Sequence, residues 1–327
     1  MKILFYGAGV LGSLYAARLQ AAGQAVSILA RGQRLSDIRE HGIVLEDGDT
    51  RQRITTRVNV VEHLAPDDAY DLVVVLMRKN QVSAILPILA ANRHTPNVLF
   101  MGNNAAGPDE MVEALGRERV LLGFARVGGY REGHVIITKV ASSGPTPIGE
   151  LDGQSTPRLQ QITEAFKTAG FSVAISPKDA WLKTHFVEIG PVAHAIYLAR
   201  GDNYRLARTR DGLVLTIRAI REGYEVLRAL GVPITPANHK IFNWISEPIL
   251  VALMRRLFNT KTAEIEMSGH ANAARDEFKH LAGEFRALAR TTSVPTPALD
   301  RLYTYIDPAV PPLPEGSTQI SPSWRSV

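Results

Sequence analysis

A single glycine-rich turn constrains this chain more than any other feature. Residues 2–6, Lys-Ile-Leu-Phe-Tyr, read as a β-strand, and Gly7-Ala8-Gly9-Val10-Leu11-Gly12 comes directly after it. The apolar spacing of Leu11–Ala22 then predicts a helix stopped by Gly23. As a bare string GxGxxG is weak evidence. Between a strand and a helix it is the fingerprint of a dinucleotide-binding βαβ unit. Gly7 permits the tight turn, Gly9 lets a pyrophosphate approach the backbone, and Gly12 allows the helix to pack closely on the strand. Val10 and Leu11 open the helix, whose free N–H groups and positive end suit phosphate. The competing reading is a glycine turn joining strand to helix for packing alone, and the strand–turn–helix context is what weighs against it.

The end of the second strand, Ala25–Ala30, selects between cofactors. NAD sites usually place an acid there to bind the ribose 2′-hydroxyl. Here the strand ends Leu29-Ala30-Arg31, with Gly32-Gln33-Arg34 behind it and no carboxylate at the tip. A guanidinium grips a 2′-phosphate that a carboxylate would repel, so the expected cofactor is NADP(H). Two further strand ends carry polar residues: Arg78-Lys79-Asn80-Gln81 after Asp71–Met77, and Gly102-Asn103-Asn104-Ala105 after Val98–Met101. Ligands bind beyond that edge of open α/β sheets. Arg78 and Asn103 are therefore candidate contacts, although asparagine and glycine are also ordinary turn residues.

The chain has 327 residues, enough for two domains at roughly 150 residues each. The first part alternates apolar strands with helices, as a parallel sheet covered on both faces does. After Ser176-Pro177 convincing strands stop and helical spacing dominates, notably in Arg208–Leu230, with further helices expected over Pro236–Ile245, Pro248–Phe258, Ala263–Ala289 and Pro297–Ile306. The expected architecture is a Rossmann-type α/β domain over 1–177, an all-α domain over 178–307, and a proline-rich tail over 308–327. The formal charge of +5 is spread thinly, without the dense basic stripe of a nucleic-acid binder, and suits a small anionic ligand. With no cysteine, disulfides, thiolate metal sites and thiol nucleophiles are excluded. No HExxH, GxSxG or GxxxxGK[ST] motif is present. Neither a signal peptide nor a membrane span is expected, which points to the cytoplasm.

These features resemble the ketopantoate reductase family, NADP-dependent reductases of 2-oxo acids in pantothenate biosynthesis. The resemblance runs from Met1 to about Ile306 and rests on Gly7–Gly12, Arg31, Asp71–Gln81, Asn103, Trp181-Leu182-Lys183 and Thr262-Ala263-Glu264-Ile265. It implies that Lys183 is the general acid that protonates the carbonyl oxygen during hydride transfer. It implies that Glu264 contacts the substrate hydroxyl and the lysine, and that Asn103 contacts cofactor or substrate. From the residues alone, Lys183 reads as a solvated helix lysine and Glu264 as a surface acid paired with Lys261.

Several family positions differ. Asparagines expected after the lysine are Val187 and Pro191, the serine for the substrate carboxylate is Ala252, and a usually acidic position is Arg256. The family's Asn-Gly after the glutamate is Ser268-Gly269. A site discriminates through such polar groups, so their loss implies a different or looser substrate. The expected function is NADPH-dependent reduction of a small anionic 2-oxo acid, with a helical domain closing over the cofactor and a homodimer as the assembly. The competing class is a non-catalytic NADP(H)-binding sensor or partner-binding protein on the same fold. An opine- or β-hydroxyacid-type dehydrogenase is a third, weaker reading.

Overall fold

The computed structural model describes residues 1–126, 128–139, 144–176 and 178–321. The chain forms two compact units: Met1–Asn103 with Pro108–Asp179, and Asn104–Gly107 with everything from Ala180 onward. Pro177, where the sequence marks the boundary, lies outside the described residues; the units part between Asp179 and Ala180.

The first unit holds β1 (Lys2–Tyr6), β2 (Ala25–Leu29), β3 (Ile43–Asp47), β4 (Arg53–Thr56), β5 (Asn59–Val61) and β6 (Leu72–Val75). Then come β7 (Val98–Met101), β8 (Val120–Gly123), β9 (Gly128–Glu132), β10 (Val135–Lys139), β11 (Thr146–Gly149) and β12 (Val173–Ile175). Its helices are α1 (Val10–Ala21), α2 (Gly32–His41), α3 (Lys79–Val82), α4 (Leu86–Ala91), α5 (Asp109–Leu115) and α6 (Pro157–Thr168).

Among the described residues, eight strands make one sheet in the order β5-β2-β1-β6-β7-β8-β11-β12. From β5 to β8 every neighbour is parallel, and β11 is antiparallel to β8. β6 is buried along its whole length, as a strand with helices on both faces must be. The chain moves from β1 outward to β2, and β6 later starts on the other flank of β1. That reversal opens a crevice at the carboxyl ends of β1 and β6, the usual ligand position in such sheets. A smaller sheet, β4-β3-β10-β9, packs on the opposite side of α1, so that α1 is buried nearly all round. The Rossmann-type architecture read from the sequence is the one observed.

The second unit is helical: α7 (Lys178–Leu198), which belongs to it from Ala180 onward, α8 (Asn203–Arg208), α9 (Arg210–Ala229), α10 (Glu247–Phe258), α11 (Lys261–Ala263), α12 (Gly269–Ala273), α13 (Arg275–Ala289) and α14 (Pro297–Thr304). α9 is its axis, with Leu213, Val214, Leu215 and Ile217 fully buried in one apolar cluster. A side chain at Gly223 would meet Val187 of α7 at 2.6 Å, so these two helices touch nearly backbone to side chain. Two helices expected from the sequence take other forms. Pro236–Ile245 is a run of 3₁₀ turns over Ala237–Asn243. The continuous helix expected over Ala263–Ala289 is interrupted by a π-helical turn at Glu264–Ser268 and by Ala274, whose φ of −125° and ψ of 30° leave the helical region. Among the described residues, no helix is long and apolar enough to cross a membrane.

Residues 308–321, expected as a tail, lie along the helical unit. Asp211 in the first turn of α9 accepts hydrogen bonds from Ser317 Oγ, Gln319 N and Ile320 N. Arg218 reaches Ser321 O at 2.7 Å, and Arg205 reaches Leu313 O at 2.7 Å. Proline content hides this from a composition argument, because the segment is held through its backbone.

Asp211 and Glu222, on the same helix, face opposite balances. Burial pushes the Asp211 carboxyl up, but its hydrogen bonds from the strap outweigh that and hold it below the usual range. Glu222 accepts from Ala298 N at 2.9 Å and Leu299 N at 2.8 Å, at the start of α14. Here burial wins, and the carboxyl is pushed up to about 7. A carboxyl raised in the folded state contributes stability below its unfolded value that is lost as pH rises through the folded value. Raising pH from 5 to 8 should therefore lower the unfolding free energy by on the order of 2 kcal/mol through this group. Urea denaturation across that window checks it: Glu222→Gln should flatten the slope, and an unchanged slope would show that Glu222 does not cause it.

Candidate functional site

The glycine turn is built as its spacing requires. Gly7 has φ +122°, and a Cβ there would sit 2.7 Å from Leu76 O, at the end of β6. A Cβ on Gly12 would sit 1.9 Å from Gly7 O, so only glycine lets α1 approach β1 this closely. Gly9 differs: its backbone is extended, with φ −73° and ψ −168°, and a Cβ would meet nothing within 4 Å. No side chain among the described residues caps α1, and its first turn carries no acid. The turn thus presents open space in front of free N–H groups and the positive end of a helix. That is the shape and polarity a dinucleotide pyrophosphate needs.

Behind the turn stands a brace the sequence did not reveal. Arg34 is buried and donates to Ala8 O at 3.1 Å, Ser13 Oγ at 2.9 Å and His134 O at 3.1 Å. It ties the glycine loop, α1 and the small sheet together, so this cation is structural. Arg31, three residues earlier, is exposed and occupies the N-cap of α2. Burial raises the pKa of the Tyr6 hydroxyl at the end of β1, and the charge of nearby Arg31 pulls it back. Arg31 therefore stands beside the crevice, at the tip of β2.

Further along the sheet edge, Arg78 is the half-buried N-cap of α3. Lys79 next to it is buried and pairs with Glu110 Oε2 at 3.0 Å, tying α3 to α5. Past β7, Asn103 Oδ1 is buried with no hydrogen-bond partner among the described residues. An unsatisfied buried acceptor is costly, and a bound N–H or O–H donor would relieve it. Asn104 is a turn former: its amide donates to Gly107 O at 2.8 Å and accepts from Gly107 N at 2.9 Å. In the helical unit Glu284 accepts from Ala105 N and Ala106 N, both at 3.3 Å, anchoring the segment after Asn103.

Lys183 lies on α7 and is buried, at 8% exposure. A solvated surface lysine would not be, and lysine is rarely buried without a task or a partner. Glu264 opens the π-helical turn; its carboxylate accepts from Lys261 Nζ at 2.7 Å and Tyr204 Oη at 3.0 Å. The Lys261 hydrogen bond, then that of Tyr204, lowers its pKa. The pairing with Lys183 that the resemblance implies is not made in this structure. Tyr204, sixty residues from Glu264, is a partner no local sequence signal could show. Among the described residues no group of acids and histidines could hold a metal.

Residues 3–153 match the family model "Ketopantoate reductase PanE/ApbA". The match supports, over this stretch, the resemblance read from the sequence. An uncharacterized oxidoreductase, YkpB, of Bacillus subtilis (strain 168) is 23% identical, over 93% of this chain and 97% of its own. The 2-dehydropantoate 2-reductase of Geobacter metallireducens GS-15 shares the fold with a TM-score of 0.77 at 18% identity, covering 95% of this chain and 100% of that one. D-mandelate dehydrogenase, solved with NADH and anilino(oxo)acetate, has a TM-score of 0.74 at 16% identity, over 94% and 97%.

Where the chain departs from the ketopantoate reductase pattern, the structure shows what stands instead. Val187 is buried against Gly223, a packing contact. Pro191 is buried within α7, and Ala252 is exposed on α10. His194 is fully buried and edge-on to Tyr303 at 5.0 Å; burial pushes its pKa down to about 3, so it packs as a neutral ring. His185 stacks on Trp181 at 4.9 Å. The glycines allow a sharp separation of roles. Gly9→Ala should leave the melting temperature within about 2 °C while weakening dinucleotide binding at least about tenfold. Gly12→Ala should lower stability and binding together. Calorimetric titration with NADPH beside thermal melts checks this, and intact binding in Gly9→Ala would remove Gly9 from the cradle.

Proposed function

We propose that this chain is an NADPH-dependent reductase that converts a small 2-oxo acid to its 2-hydroxy acid. One observation carries the reading: the open space at Gly9, before the uncapped start of α1, with exposed Arg31 at the tip of the neighbouring strand. Gly7, Gly9 and the N–H groups of Val10, Leu11 and Gly12 would hold the pyrophosphate, and Arg31 the 2′-phosphate. Arg78 adds positive charge at the same sheet edge, and Asn103 offers its unpaired oxygen to a donor on cofactor or substrate. The bound nicotinamide supplies the hydride.

Reduction puts an electron pair on the carbonyl oxygen, which needs a positive neighbour and then a proton. Lys183 would supply both. Glu264, held ionised by Lys261 and Tyr204, would act as an acceptor for a substrate hydroxyl. Because Val187 and Pro191 are buried packing residues and Ala252 is apolar, the substrate would rely less on hydrogen bonds than ketopantoate does in the family. The fold neighbour crystallised with NADH leaves the choice of NADPH resting on Arg31.

A binding-only role is favoured by one fact: the Glu264 carboxylate is already taken up by Lys261 and Tyr204. Following NADPH oxidation across a panel of 2-oxo acids, ketopantoate included, separates the two readings. On an accepted substrate, Lys183→Ala should cut kcat by about 10²-fold or more while sparing NADPH affinity; equal turnover would remove Lys183 from the chemistry. Arg31→Asp should weaken NADPH by about tenfold or more and shift preference toward NADH. An unchanged ratio of the two affinities would refute Arg31 as the selector.

A further inference from the structure

The small sheet brings its edge strand, β9, against the start of α1. β9 opens with Gly128 and Gly129, and a side chain at Gly129 would collide with Ile137 O and fall 3.0 Å from Val10 Cγ1. Only glycine therefore lets β9 lie on the first residue of the helix that presents its N–H groups to the crevice. Alternate residues of a strand face the same side. Gly129 pairs with Thr138 and Arg131 with Ile136, so Arg131 faces α1 as Gly129 does, about 7 Å farther along the strand. The far end of β9 is located independently. His134, in the turn to β10, gives its carbonyl oxygen to Arg34, which also holds Ala8 O of the glycine turn. Arg131 is thus bracketed between Val10 on one side and the Arg34–Ala8 contact on the other.

Arg131 is exposed, and its guanidinium has no ion-pair or hydrogen-bond partner among the described residues. Buried Arg34 feels its charge: burial lowers the pKa of Arg34, Arg131 lowers it further, and Asp37 opposes them. Exposed Arg31 stands at the tip of β2, three residues before Arg34. Three cations are therefore gathered on the α2 side of the glycine turn, and the acid named among them, Asp37, also accepts from Gln33 Nε2 at 2.8 Å. Like charges brought together cost stability unless an anion offsets them. A phosphate monoester carries about −1.5 to −2 charges near neutral pH and takes guanidinium forks on several oxygens. The pyrophosphate is already provided for by the N–H groups of α1, whereas Arg131 lies toward Arg34 and α2, where the strand tip would receive the adenosine ribose.

We propose that Arg131 is a second cation of the 2′-phosphate site, so that the small sheet as well as the Rossmann sheet selects the cofactor. This rests on the NADPH reading above and adds a residue that neither the glycine fingerprint nor the tip of β2 contains. Calorimetric titration with NADPH and with NADH tests it on the wild-type chain, on Arg131→Ala and on a control, Arg93→Ala, an exposed arginine between α4 and the start of β7. Arg131→Ala should weaken NADPH at least about tenfold and NADH less than about twofold, while Arg93→Ala changes neither. Without ligand, Arg131→Ala should melt no lower than the wild-type chain, because it relieves repulsion with Arg34. Unchanged NADPH affinity in Arg131→Ala, or an equal loss for NADH, overturns the proposal and leaves the NADPH reading standing, provided the wild-type chain prefers NADPH. A ligand-free melting temperature well below wild type also overturns it, since Arg131 would then serve the fold. A wild-type chain that binds NADPH no better than NADH removes both readings together.

Discussion

The contact between the Gly7 carbonyl and the α carbon of Gly12 sets the geometry of the whole first unit. A methyl group at residue 12 would fall 1.9 Å from that oxygen, so α1 can lie this close to β1 only because residue 12 has no side chain. With the helix drawn in, its N-terminus points across the carboxyl end of the sheet, and the crevice between β1 and β6 acquires a floor of N–H donors. The other side of α1 is then free to take the small sheet. Arg34 completes the arrangement from behind, donating to Ala8 O and Ser13 Oγ. One steric allowance thus fixes the helix, the anion site and the second sheet together.

The helical unit is organised instead by carboxylates that receive backbone N–H groups. Asp211 gathers the strap 317–320, Glu222 caps α14, and Glu284 holds Ala105 and Ala106. Each ties together segments far apart in sequence, and each exchanges hydration for a few hydrogen bonds in a poorly solvated place. The balance differs from site to site. Three donors hold Asp211 ionised, whereas two donors do not offset the burial of Glu222. Burial and donor count together, rather than residue type, therefore decide which of these acids is charged near neutral pH.

Legible and hidden features divide along the same line. The glycine turn, the alternation of strands and helices in the first half and the helical second half were legible because they rest on local spacing. Arg31 was legible as an exposed residue at a strand tip because the missing acid is itself a local fact. Arg34 was not, since its three acceptors lie up to a hundred residues away. The same holds for Tyr204 on Glu264 and for the strap on Asp211. The break in the helix expected over 263–289 was hidden for a related reason: the apolar periodicity continues through the π turn, and only backbone hydrogen bonding reveals it.

That π turn bears on how the acid end of the candidate site works. An inserted residue rotates the remainder of a helix about its axis and leaves local hydrogen bonds under strain, and such turns are frequent at functional sites. Here it begins at Glu264, and Lys261, one turn before, and Tyr204, from α8, hold the carboxylate from two sides. Both donors favour the ionised form, so Glu264 is an acceptor at neutral pH and cannot serve as the proton source. Lys183, in α7 of the same unit, is by contrast a buried lysine. The two groups are held differently: the Glu264 carboxylate is fixed at a helical irregularity by donors from two other helices, whereas Lys183 is enclosed within the length of α7.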